Sequence, residues 1–110
     1  MIEGLDPVIH APKRLVAMAV LANASSVTFT SMRERLQVSE SDLSKQMAAL
    51  ERAGYVGVSK LGHGRGGVTQ YRITRDGRAA YRAHRAALKA LLVLEDSAQV
   101  EQASSTMAPG

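Results

Sequence analysis

Gly62, Gly64 and Gly67 spell G-x-G-x-x-G within Lys60-Leu-Gly-His-Gly-Arg-Gly-Gly-Val68, a spacing that in the right setting cradles the phosphates of a dinucleotide. That chemistry has requirements. The glycines must follow a strand and open a helix whose N-terminus carries the pyrophosphate, with an acidic residue about 20 positions on for the ribose. Here the residues after the loop, Val68-Thr-Gln-Tyr-Arg-Ile-Thr74, read as a strand, and the region around Ala87 holds no Asp or Glu. A Walker loop is excluded too, because no Gly-Lys-Ser/Thr closes the segment. The glycines are therefore read as a hairpin tip, where positive φ is free of steric cost, and the tip presents His63 and Arg65.

Other site chemistries are sparse. The chain has no cysteine, which excludes disulfides, thiolate zinc sites and cysteine redox chemistry, and favours a reducing, cytoplasmic setting. His10, His63 and His84 share no ligand spacing, so neither a metal nor a cofactor is expected. No cluster of carboxylates or activated nucleophile stands beside the glycine loop, so no enzyme is expected either. The longest apolar run, Leu15 to Ala22, falls well short of the ~18 residues of a membrane-spanning helix. Lys13-Arg14, that run and Ala22-Asn23-Ala24 imitate a signal peptide, but Glu3, Asp6, Pro7 and Pro12 are unlike a basic leader.

At 110 residues the chain suits one domain with one core. Its net charge of +4 is unevenly placed. Lys60, Arg65, Arg72, Arg75, Arg78, Arg82, Arg85 and Lys89 face only Asp76 across that stretch, whereas Glu95, Asp96 and Glu101 follow with no Lys or Arg. Such a stretch suits a polyanion, nucleic acid being the commonest, and equally suits a solvated helix face.

The elements that would position these residues follow from periodicity. Pro12 opens a helix to about Ala24, with Leu15, Met18, Ala19 and Ala22 on one face and Val16, Val20 and Leu21 making the rest apolar. A helix apolar all round needs cover on several sides, which hints at a second copy. Ser25 to Thr28 break the chain, and Phe29, Met32 and Leu36 mark a short second helix. Ser39-Glu40-Ser41-Asp42 is a capping box for a third, with Leu43, Met47 and Leu50 as its buried stripe and Gly54 as its stop. Tyr55 to Leu61 and Val68 to Thr74 form a hairpin around the glycines. Thr74 caps a last long helix whose stripe, Tyr81, His84, Leu88, Leu91 and Leu92, reaches about Leu94. Residues 1–94 are thus read as the domain and 95–110 as a disordered tail.

The fold class is mainly α with a small β-hairpin, in the order α-α-α-β-β-α, a winged helix-turn-helix. Burying Leu43, Met47 and Leu50 turns Ser41, Ser44, Lys45, Ala48 and Arg52 outward. Ser and Lys can donate to base edges or phosphates, Ala48 allows close approach, and Arg65 suits a narrow minor groove. Ser39, Lys60 and His63 complete the expected DNA-binding set.

The runs "LDPVIHAPKRLVAMAVL", "FTSMRERLQVSESDLSKQMAALERAGYVGVSK" and "GHGRGGVTQYRITRDGRAAY" resemble the small stand-alone winged-helix regulators related to the MarR and ArsR groups, over about Leu5 to Leu92. The resemblance implies a homodimer on an inverted repeat of double-stranded DNA, held by its first and last helices. Leu15, Val16, Val20, Tyr81, His84, Leu88, Leu91 and Leu92 would then line the interface. It leaves room for a small-molecule effector of unspecified chemistry, while the lack of Cys speaks against thiolate metal sensing. Gln37 departs from the pattern, standing where a glycine is common in the turn. A repressor that occludes its promoter is the leading expectation; a winged helix serving protein–protein interaction with little DNA affinity is the alternative.

Overall fold

The computed structural model describes residues 4–62 and 64–107, with side chains described as far as Leu94 apart from Arg65. Four helices and three short strands run in the order α1 (Pro12–Ala22), β1 (Val27–Thr28), α2 (Phe29–Leu36), α3 (Glu40–Arg52), β2 (Val56–Leu61), β3 (Val68–Ile73) and α4 (Arg75–Met107). The strands form one antiparallel sheet ordered β1-β3-β2, with Val56 opposite Ile73 and Leu61 opposite Val68. This is the expected winged helix-turn-helix with one addition. β1, read from sequence as a polar break, pairs Val27 with Tyr71 and Thr28 with Gln70. Two residues are too few to show the alternation by which a strand is recognised.

Local chemistry explains each boundary. Pro12 occupies the first turn of α1, and at the other end the Asn23 amide donates to the Ala19 carbonyl at 2.9 Å. Thr28 Oγ1 accepts from the Ser31 N–H at 3.1 Å to start α2, and Ser39 Oγ accepts from the Asp42 N–H at 3.1 Å to start α3. The reciprocal half of the capping box is diverted: the Asp42 carboxylate receives Lys13 from α1 and the Gln46 amide instead. Hydrogen bonds from Gln46 and then Lys13 hold its carboxyl below the usual value, so it stays charged at the helix start, where the dipole favours an anion. At the far end Gly54, at φ +81°, completes a Schellman stop in which the Tyr55 N–H reaches the Leu50 carbonyl at 3.0 Å.

Gln37 closes α2 in the left-handed region at φ 55° and ψ 52°, a conformation that costs a residue with Cβ about 1 kcal/mol or more. Gln37→Gly is therefore expected to raise stability by about 0.5–1 kcal/mol, the extra backbone freedom of glycine in the unfolded chain offsetting part of the gain. Urea titration of the two proteins checks this; an unchanged midpoint would remove the strain from the account.

The core lies where the helices meet the sheet: Ile9, Met18, Leu21, Met32, Leu43, Met47 and Leu50 are all essentially sealed from solvent, with Val27, Val56 and Tyr71 closing the sheet side. In α1 the buried residues are Ala17, Met18 and Leu21 rather than the Leu15, Met18, Ala19 and Ala22 stripe, because a helix apolar on all sides carries no signal that selects one face. α4 also departs from expectation, continuing to Met107 past the Leu94 end and through much of the segment read as a disordered tail. No Gly or Pro occurs between Arg78 and Met107, so no residue there interrupts the helix.

The segment before α1 is built into the fold. Asp6 Oδ1 accepts from the Val8 N–H at 2.8 Å, its Oδ2 accepts from the Tyr55 hydroxyl at 2.6 Å, and its own N–H donates to His84 Nδ1 at 3.0 Å. The Tyr55 phenol is pushed up to about 12, first by the Asp6 carboxylate and then by burial, so it remains a donor. His84 is fully buried beside the His10 ring, at 5.4 Å between centroids. An imidazole that accepts at Nδ1 carries its proton on Nε2 and is neutral.

Burial first, and then the neighbouring His10, lower the His84 pKa below its ordinary 6.5, while Asp6 opposes them. In acid the unfolded chain therefore binds a proton that the folded chain refuses. The contribution of neutral His84 is fully present above about pH 6.5 and is lost as pH falls below it, at up to about 1.4 kcal/mol per pH unit. Imidazole signals followed by NMR are expected to show His84 titrating below 6.5 as thermal stability declines; a midpoint at or above 6.5 would contradict a neutral, accepting ring.

Candidate nucleic-acid interface

With Leu43, Met47 and Leu50 turned into the core, α3 presents Ser41, Ser44, Lys45 and Arg52 to solvent. Ala48 is half-buried, at the angle between the helix and the sheet. Ser39 is exposed, but its hydroxyl oxygen already accepts the capping hydrogen bond and lies 3.3 Å from Ser41 Oγ. The exposure of Ser41, Ser44, Lys45 and Arg52 leaves the edge uncovered among the described residues. A short-polar and basic surface, uncrowded along the helix, is the arrangement that reaches base edges and phosphates in a major groove.

Beside α3 the hairpin forms the second wall. Lys60 is exposed near the tip of β2, opposite Thr69 of β3. Between the strands the chain turns through Gly62 at φ +82° and Gly64 at φ +59°, and the Gly67 N–H donates to the Gly64 carbonyl at 3.0 Å. Strand β3 follows the glycines, which answers the question they raise: they make a wing tip and no phosphate cradle. His63 and the side chain of Arg65 lie outside the described residues; the Arg65 backbone belongs to the single 3₁₀ turn Gly64–Gly66.

Helix and wing enclose a groove of ≈330 Å³ lined by Ser44, Ala48, Glu51, Lys60, Thr69 and Tyr71 among others. Glu51 and Thr69 were missed in the sequence. Glu51 lies one helical step from the Ser44 and Ala48 edge, a signal that helix geometry alone could have supplied, and it can accept from a cytosine amino group. Thr69 needed the strand register, because only its pairing with Lys60 turns it toward α3.

The expected interface between copies divides into covered and free residues. His84 is enclosed by its own chain, because the segment around Asp6 folds over it, so it cannot meet a second copy. Leu15, Val20 and Tyr81 pack against the protomer's own core. Val16 at 47% and Leu92 at 52% remain exposed, Leu88 and Leu91 are half-buried, and Val93 and Leu94 add 54% and 68% exposed apolar surface that the stripe did not include. No described helix is long and apolar enough to cross a membrane.

Residues 13–92 match the sequence model of the winged helix DNA-binding domain. The chain belongs to that family. This winged-helix chain superposes on the transcriptional regulator homologue protein from Pyrococcus horikoshii with a TM-score of 0.76 and 26% identity, over 81% of this chain and 88% of that one. A protein described as a MarR-family transcriptional regulator from Enterococcus faecalis gives a TM-score of 0.64 at 18% identity, over 87% of this chain and 83% of that one. HlyU from Vibrio cholerae gives 0.55 at 21% identity, over 68% and 77%. At these last identities the likeness is one of fold. No curated protein matches the chain in sequence.

Proposed function

We propose that this winged-helix protein is a sequence-specific transcriptional regulator that binds double-stranded DNA as a homodimer, without catalysis, and represses by occluding a promoter. The observation that carries the reading is the uncovered polar edge of α3 standing beside a glycine-tipped wing. Ser41 and Ser44 read the major groove, Lys45 and Arg52 hold bases or phosphates, and Arg65 enters the adjacent minor groove with His63 and Lys60 nearby. Two copies joined through Val16, Leu88, Leu91 and Leu92 set half-sites of an inverted repeat about one helical turn apart. The protein acts in the cytoplasm, with room between the two copies for an effector of unspecified chemistry.

Binding to a random-sequence duplex at two salt concentrations tests the first step. Phosphate neutralisation predicts a steep fall in affinity with salt. Weak binding with no such fall supports the second reading, a protein-interaction module, which the exposed Leu92, Val93 and Leu94 favour. Sedimentation separately tests the dimer, which predicts a mass near twice 11.8 kDa.

A further inference from the structure

The α3 edge and the wing leave most of the chain's positive charge unused. Along α4, Arg75, Arg78, Arg82, Arg85 and Lys89 recur at alternating steps of three and four residues, and all five are exposed. At the pitch of an α-helix they share an arc of about 80° and span about 21 Å. Leu88 and Leu91 fall to one side of that arc and Leu92 borders its edge beside Arg85 and Lys89, so an apolar contact there runs along one flank of the stripe and leaves the other flank open. Neither ion pair among the described residues, Lys13 with Asp42 or Arg33 with Glu40, involves the stripe. Cations three and four residues apart repel one another, and a bound polyanion would relieve that repulsion.

Within the stripe a cleft of ≈170 Å³ opens between the end of α1 and α4, lined by Ala22, Asn23, Arg78, Tyr81, Arg82 and Arg85. Arg78 Nη1 donates to the Ala22 carbonyl at 3.1 Å, and the Arg85 guanidinium lies 5.9 Å from the centroid of the Tyr81 ring. These contacts hold two of the cleft's guanidinium groups in place, so an incoming phosphate meets donors that are already positioned.

We propose that this stripe is a second surface for the phosphate backbone of duplex DNA, separate from α3 and the wing, with one phosphate held at the cleft and its neighbours by Arg75 and Lys89. The proposal rests on the reading of the protein as DNA-binding. The stripe offers one cation about every 5 Å, while a duplex carries one phosphate charge per ~1.7 Å of its axis with both strands counted, so a duplex along the stripe carries more phosphates over that length than the stripe has cations. A regular polyanion fits that spacing.

The test uses the full chain carrying Arg82→Gln, Arg85→Gln and Lys89→Gln together, with the affinity for a random-sequence duplex measured across a salt series. Each lost phosphate contact is expected to lower the slope of log affinity against log salt by about 0.9, so the triple variant falls by about 2–3. The corresponding Arg→Lys variants at positions 82 and 85 keep the slope. Should the triple variant fold poorly, single Arg82→Gln and Lys89→Gln changes on the helix surface each lower it by about 0.9. A steep wild-type slope that the Gln variants leave unchanged overturns this inference alone, whereas a flat wild-type slope overturns the DNA-binding reading with it. A triple variant that turns monomeric at unchanged slope assigns the stripe to a second copy and overturns the proposal.

Discussion

Gly77→Ala is expected to remove about 2–4 kcal/mol of stability, lowering the melting temperature by on the order of 10 °C for a domain of this size. A Cβ at Gly77 would stand 2.1 Å from the Tyr55 carbonyl oxygen, 2.8 Å from its carbon and 2.9 Å from its Cα. All three are backbone atoms, and Tyr55 has nowhere to go. Its N–H is bonded to the Leu50 carbonyl at 3.0 Å, its carbonyl accepts from the Thr74 N–H at 3.0 Å, and its hydroxyl donates to Asp6. Alanine gains about 1 kcal/mol over glycine in helix propensity, so the net sign tells which effect wins. The clash should win, because relieving it means moving the start of α4 away from the Schellman turn that ends α3. Denaturant unfolding of the two proteins decides; an alanine variant as stable as wild type would show that the junction of α3, hairpin and α4 is not a tight joint.

The second large effect concerns DNA. Lys45→Ala and Ser44→Ala are each expected to change which sequence is preferred, at about 1–3 kcal/mol, or roughly 5- to 150-fold, for the affected base pair. Arg65→Ala is expected to weaken binding to all sequences, because a phosphate contact carries no base information and the minor groove offers only a degenerate pattern. Ser44 and Lys45 are exposed on α3, so the variants should melt like wild type. Competition binding against a panel of single-base-pair changes separates the two behaviours. Equal affinities for every variant and every duplex would withdraw these residues from the interface.

Much of this arrangement could be read directly from the chain. Ser39, the Leu43, Met47 and Leu50 stripe and Gly54 fix where α3 begins, which face it buries and where it stops, and each signal is local. Once that face is known the polar edge follows by geometry. What escaped reading depended on distant partners or weak contrast. Asp6 and His84 are separated by 78 positions, and nothing near either residue announces the hydrogen bond that removes His84 from the surface. α1 hid its buried face by being apolar all round, and β1 is defined only by its pairing with β3. The expected end of α4 at Leu94 rested on loss of an apolar stripe, whereas the helix runs on to Met107 through residues among which no Gly or Pro interrupts it.

Fragments of the source genome selected for binding, first with the wild-type chain and then with the Ser44→Ala and Lys45→Ala variants, give the most direct reading of what α3 does. If its outward edge reads bases, the wild type enriches one inverted repeat with half-sites about one turn apart, and each variant shifts the preferred bases within the half-site. Enrichment of no common sequence, or of the same sequence by all the proteins, would contradict it.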